Sequence, residues 1–164
     1  MKKAKSFIIA SLLLFITWIL LAGTAKQELV YGGLASLIIS LLFLERLTIL
    51  ADINLNIRAL LYSIGYIFVF SWELIKSNFD VARRIISPKL PINPGIVKVK
   101  TKLKSPLGRA ILANSITLTP GTLTVEIRDQ YFYIHWIDVS VSDINAGTEA
   151  IVSKFEKYLE VIFG

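Results

Sequence analysis

Charged side chains disappear from three stretches in the first half of the chain and return in regular alternation in the second. Ser6 to Ala25 runs twenty residues without a charge, Leu29 to Leu44 sixteen, and Ala59 to Trp72 fourteen. A bilayer core is about 30 Å thick and takes roughly 20 helical residues to cross. Residues 6–25 therefore predict a complete span. Lys26, Gln27 and Glu28 leave room only for a turn between antiparallel helices, so residues 29–44 predict the returning span. At roughly 24 Å this second span is short and needs snorkelling flanks or a locally thinned bilayer. Gly32, Gly33, Ala35, Ser36 and Ser40 would let it approach another helix closely, which marks Gly32, Gly33, Ser36 and Ser40 as candidate interface contacts. A basic start, an apolar run and the small Ala22, Gly23 and Ala25 also fit a cleavable signal peptide. The apolar stretch resuming at Leu29 fits a retained hairpin better.

The third segment predicts one long helix over residues 57–86. Its uncharged part is roughly 21 Å long, a length at which an interfacial or re-entrant helix competes with a span. Beyond it, Glu73, Lys76, Ser77, Asp80 and Arg84 fall three or four apart on one face, with Leu74, Ile75, Phe79 and Ala82 on the other. A full crossing would carry Arg83, Arg84, Lys89 and the Lys-rich stretch after them to the outside, against the positive-inside rule. With Lys2, Lys3 and Lys5 also inside, the expectation is a multi-pass plasma-membrane protein. It has two spans, a long tilted or interfacial helix, and a cytoplasmic C-terminal domain. Three spans with the N-terminus outside is the alternative. Glu28 and Glu45 bracket the second span, and Glu73 and Lys76, further candidate membrane or interface contacts, close the third apolar run; all lie where interfacial water makes charge cheap. Trp18, Tyr31 and Trp72 are candidate interfacial anchors.

Residues 1–86 thus read as a membrane domain. Residues 87–95, with three prolines and a glycine, read as a stiff linker. Residues 96–164 then carry the patterns of a small α+β domain. From Ile96 to Lys104, Val97, Val99, Thr101 and Leu103 alternate with Lys98, Lys100, Lys102 and Lys104, which predicts a strand with one solvated face. Leu107 to Leu118 predicts a buried helix ended by Thr119-Pro120-Gly121-Thr122. Leu123 to Arg128 and Tyr131 to Ile137 predict a hairpin about Asp129-Gln130. Asn145 to Phe163 predicts a closing helix, its Ala150, Ile151, Phe155, Leu159 and Ile162 at helical spacing. The order β-α-β-β-α is that of a truncated ferredoxin-like domain lacking its last strand.

Composition narrows the chemistry. Apolar residues make up 54% of the chain and charged residues 18%, against roughly 45–50% and 25% in soluble domains. The net charge of +6 clusters beside the apolar segments, which points to anionic headgroups rather than nucleic acid. There is no cysteine and one histidine, His135. Thiolate and His-pair metal sites are thereby excluded, and no catalytic constellation, Walker loop or dinucleotide fingerprint is present. Asp129 and Asp138 flank the hairpin that carries His135, so a carboxylate–imidazole contact is open. No catalytic residue, cofactor or metal is expected. The four-lysine face is either a solubilised edge or a contact for an anionic lipid or acidic partner.

The run Asn114-Ser115-Ile116-Thr117-Leu118-Thr119-Pro120-Gly121-Thr122 resembles the signature passage of the E-type (MrpE/MnhE) subunits of the Mrp (Mnh) multisubunit cation/proton antiporters. Ser87-Pro88-Lys89, Pro94-Gly95-Ile96 and Tyr133-Ile134-His135-Trp136 fall where that family has comparable motifs. Physically, Asn114, Thr119, Pro120, Gly121 and Thr122 make sense as a helix end and turn, a structural motif rather than a catalytic one. The resemblance implies an accessory or assembly subunit of a complex exchanging Na⁺ for H⁺. Its partners would be the large antiporter-like subunits, other small membrane subunits and the bilayer. Related E-type subunits also occur in membrane-bound hydrogenase complexes. A membrane-anchored module recruiting a soluble or lipid partner is the alternative of a different class.

Overall fold

The computed structural model describes residues 2–141 and 143–164. The chain divides into two compact units, residues 1–53 and 54–164.

The first unit is a helical hairpin of α1 (Lys2–Ala22) and α2 (Lys26–Leu42). Gly23, at φ +88°, ends α1 in a left-handed conformation that residues with a Cβ resist. Gly32, Ser36 and Ser40, four apart on α2, are buried against a face of α1 that carries Ser6, Ile9 and Ala10. The outer faces are apolar throughout, with Leu12, Leu20, Leu41 and Leu42 among the exposed side chains. That is the reverse of a water-soluble hairpin and fits a hydrocarbon surround. The expected second span, 29–44, ends at Leu42 instead. There the chain bends by 100° into a 3-10 helix, Arg46–Asp52. This segment folds back on α1, where Lys5 donates to the Ala51 carbonyl at 2.7 Å and Lys3 pairs with Glu45 at 3.2 Å. Of the described helices, α1 and α3 (Ile57–Ile86) are each long and apolar enough to cross a membrane; α2 and the 3-10 helix qualify only as one bent pair.

The second unit contains α3, β1 (Gly95–Lys100), α4 (Pro106–Leu118), β2 (Thr122–Arg128), β3 (Tyr131–Trp136), α5 (Ile144–Ile151) and α6 (Ser153–Phe163). The sheet is antiparallel in the order β1-β3-β2, with Val99 opposite Phe132 and Phe132 opposite Ile127. An irregularity between Thr124 and Glu126 leaves Val125 outside the ladder. One core joins Val99, Phe132 and Ile134 of the sheet to Leu112 and Ile116 of α4 and Ile151, Phe155, Leu159 and Ile162 of the C-terminal helices. Ser105 caps α4 by accepting from the Gly108 amide at 3.1 Å, and Asp143 caps α5 by accepting from the Asn145 amide at 2.7 Å.

Three patterned expectations are adjusted here. The strand expected over 96–104 stops at Lys100, because the buried Glu156 carboxylate accepts from the Thr101 hydroxyl (2.5 Å) and the Lys102 amide (2.8 Å) and draws the chain off the sheet. The single helix expected over 145–163 is two, broken at Val152, whose fully buried side chain enters the core. Ala150 is exposed rather than part of the buried stripe.

The long helix α3 belongs with the α+β unit, so the division falls before it and not at the proline-rich segment. Asn56 caps it by accepting from the Ala59 amide at 2.6 Å. Just upstream, Asn54 donates three times to the end of α6. Its backbone amide reaches the Ile162 carbonyl at 2.8 Å and its side chain the Val161 and Gly164 carbonyls at 3.0 and 3.3 Å. Along its length α3 packs on α6, with Tyr62 against Tyr158 and both Tyr66 and Phe70 against Phe155. At the far end Arg84 donates to Asp80, to the Pro91 carbonyl and to Asp138, at 2.7, 2.6 and 2.8 Å. The expected linker is therefore fastened, not free: Asn93 also pairs with the sheet side, its amide donating to Ile137 and its carbonyl accepting from Val139.

Candidate functional site

Part of the polar face of α3 turns toward its own domain. Glu73, Ser77 and Arg84 lie on the packed side, while Phe68, Trp72 and Phe79 on the other are 72%, 64% and 73% exposed. Under the polar side is a cleft of about 220 Å³, walled by Glu73, Lys76, Ser77 and Asp80 of α3, by Thr119, Pro120 and Thr122 of the turn, and by Trp136 and Lys154. Glu73 is its electrostatic centre. Its carboxylate accepts from Lys154 of α6 at 2.6 Å and has Lys76 at 3.8 Å. Lys154 also sits over the Phe155 ring, 5.4 Å from its centroid, so its charge is held between an anion and a π face.

The turn beside it is built by hydroxyls. Thr119 donates to the Ser115 carbonyl at 2.7 Å, and Thr122 to the Ile116 and Thr119 carbonyls at 2.6 and 2.9 Å. Thr124 reaches the Ala113 carbonyl, and the Thr117 hydroxyl accepts from the Thr124 amide. A helix leaves its last four carbonyls without partners, and this threonine-rich run satisfies those of Ser115 and Ile116 while turning the chain into β2. Gly121, at φ +94°, makes the reversal, and its carbonyl accepts from the Ile137 amide. Ser115 bonds the hydroxyl of Tyr66, tying the same run to α3. Asn114 lies on the exposed face of α4, away from these bonds.

Glu73 and Lys76 thus share one cleft with Thr119, Pro120 and Thr122. Gly32, Ser36 and Ser40 are in the other unit, occupied by α1: a Cβ on Gly32 would run into the Trp18 ring. Trp18 is accordingly a packing residue there, whereas Tyr31 and Trp72 are exposed. Gly33 borders a shallow apolar groove with Ser11, Phe15 and Leu37. The contact considered between His135 and its flanking carboxylates is not made. His135 is exposed, and Asp138 is bonded to Arg84. Among the described residues no group of three or more His, Asp or Glu side chains is arranged to hold a metal. Lys98 lies over the Tyr131 and Tyr133 rings at 3.9 and 5.9 Å from their centroids, which places it on the open sheet face. Sequence reasoning missed Lys154, Glu156 and Asn54. Their partners are 81, 55 and 107 positions away, beyond the reach of any local pattern.

The family model for a Na⁺/H⁺ ion antiporter subunit, MNHE, matches residues 11–162. The chain belongs to this family. Residues 11–162 take in both units, so the hairpin and the α+β unit are both family features. The chain is 50% identical over 78 residues to the E-type Na⁺/H⁺ antiporter subunit of Alkalihalophilus pseudofirmus, a match covering 46% of this chain and 49% of that one. It is 39% identical over 101 residues to the E1-type antiporter subunit of Staphylococcus aureus (strain bovine RF122 / ET3-1), over 60% and 62% of the two chains. The chain thus spans about half to three-fifths of the length of these relatives. In solved structures it is similar to a chain of the membrane-bound sulfane sulfur reductase (MBS), an archaeal respiratory membrane complex. There the identity is 45% and the TM-score 0.87, over 97% of this chain and 99% of that one.

Proposed function

We propose that this MnhE-family chain is an accessory, assembly-type subunit of a multisubunit monovalent cation (Na⁺)/proton antiporter complex in the cell membrane. The observation that carries the reading is the family match across residues 11–162. The molecule's own chemistry agrees with a supporting role. The charge pair of Glu73 and Lys154 in the α+β unit is satisfied internally and serves as a joint between α3 and α6. The apolar outer faces of α1 and α2 are available to lipid and to neighbouring membrane subunits. The Lys-rich N-terminus and the basic end of α3 favour a cytoplasmic α+β unit. The antiparallel order β1-β3-β2, with α4 crossing between β1 and β2, supports reading it as a ferredoxin-like unit without its last strand.

A second reading has its own support. The similarity to the MBS chain runs the full length at TM-score 0.87, while the antiporter relatives match over shorter stretches. The same chain could therefore serve the antiporter-like part of a respiratory membrane complex. Purification of the tagged protein from its native host in mild detergent tests both. Large antiporter-like subunits alone support the first reading, and the same subunits together with redox subunits support the second. Recovery of the chain alone, or with soluble proteins only, overturns both and favours a membrane-anchored binding module.

A further inference from the structure

We infer that α3 does not cross the bilayer but lies flat in its surface, with one face in the acyl boundary and a row of cations on anionic headgroups. This rests on the geometry of the second unit and is independent of which complex the chain joins. Three observations carry it.

First, α3 is held to the α+β unit from end to end. Asn54, just before it, bonds the carbonyls that finish α6, Tyr66 and Phe70 pack on Phe155 in its middle, and Arg84 bonds Asp138 near its end. A span would have to take that whole unit, with Lys98, Lys102, Lys104 and Arg128 on its surface, into hydrocarbon.

Second, the free face is the apolar one. Leu61, Ile64, Phe68, Trp72, Ile75 and Phe79 are all exposed and recur every three or four residues, a stripe about 27 Å long. Within its own unit, no described residue covers it. A stripe of this kind opposite a polar, protein-packed side is the signature of an interfacial helix.

Third, cations line one edge of the stripe. Lys76 and Arg83 follow Arg58 by five and about seven helical turns, so all three project from the same flank; all three are exposed, and Lys76, 3.8 Å from Glu73 at the cleft rim, keeps its side chain 67% exposed. Long cationic side chains at the edge of an apolar stripe match an anionic lipid surface, where they snorkel to the headgroups. A neighbouring hydrophobic subunit would not require them.

The absence of cysteine makes the test clean. Leu61→Cys, Phe68→Cys, Ile75→Cys and Phe79→Cys are spin-labelled one at a time in the full-length protein. Each is reconstituted in phosphatidylcholine vesicles with and without phosphatidylglycerol, and depth is read from collisions with oxygen and a nickel chelate. An in-plane helix places all four labels at one shallow depth. A span shifts the depth from Leu61 to Phe79 by nearly the full thickness of about 30 Å, which overturns the inference. Labels shielded from both reagents, there or in the purified complex, mean that protein covers the stripe, and this also overturns it. Phosphatidylglycerol is expected to move the labels deeper, and the triple change Arg58→Gln, Lys76→Gln, Arg83→Gln to abolish that shift. Equal depth in both lipids overturns the headgroup assignment.

Discussion

Glu73 and Lys154 meet at 2.6 Å across the joint between α3 and α6, with the Glu73 side chain only 15% exposed. In so sheltered a position the carboxylate depends on its partner, since removing one member of a pair leaves the other charge poorly solvated. Lys154→Ala is expected to lower stability by about 1.5–3 kcal/mol, the scale of a hydrogen bond to a charged group. Glu73→Gln with Lys154→Met should recover part of that loss. A double-mutant cycle by denaturant unfolding in detergent measures the coupling, and additive losses would show the pair to be dispensable.

Gly32 and Gly33 separate sharply although adjacent. A Cβ on Gly32 would overlap the Trp18 ring, while on Gly33 the nearest atom is 4.0 Å away. Gly32→Ala is expected to pry α1 from α2 at a cost of about 1–3 kcal/mol, the usual range for overpacking, and Gly33→Ala to be near neutral. Thermal stability in detergent checks the pair of variants. Trp18→Leu combined with Gly32→Ala should restore most of the loss.

Arg84 fastens α3, the proline-rich segment and the end of β3 at once through Asp80, Pro91 and Asp138. Arg84→Ala should leave the sheet core intact and speed hydrogen exchange at the Asn93 and Val139 amides. Arg84→Lys should not rescue, because an ammonium lacks the planar fork that serves several acceptors together. Unchanged exchange at those two amides would count against the clamp.

The turn after α4 is expected to be sensitive at its threonines and glycine and tolerant at Asn114. Thr122→Val deprives the Ile116 carbonyl of its hydroxyl partner, for about 1–2 kcal/mol. Gly121→Ala adds a Cβ at positive φ and 3.0 Å from Ile137, at a similar cost of about 1–2 kcal/mol. Asn114→Ala should stay within about 0.5 kcal/mol of the parent, as surface changes usually do. Equilibrium unfolding of the full-length variants in detergent provides the ranking.

Elements governed by local pattern were legible in the sequence. The hairpin, α4 and the strands on either side of Asp129-Gln130 follow from helical and strand periodicity and from turn residues. What pattern could not supply was which partner each face would choose. Periodicity gives α3 a polar face but does not show that Glu73 on it packs against its own domain, because Lys154 supplies the partner from distant sequence. Glu156 looks like any surface acid on an amphipathic helix until Thr101 and Lys102 close over it. The small residues of α2 signalled close packing, and the structure identifies α1 as the helix they meet.

The bonds from Asn54 to the end of α6 have a consequence for biogenesis. The ribosome delivers the hairpin and then α3 well before α6, and these contacts join positions 107 apart. Until α6 emerges, α3 has its apolar side ready for lipid but its charged underside without a seat. Closure of the α+β unit is therefore a late, long-range event that follows membrane insertion. A ribosome paused before Ser153 would hold a finished hairpin and an α3 that is still unlatched.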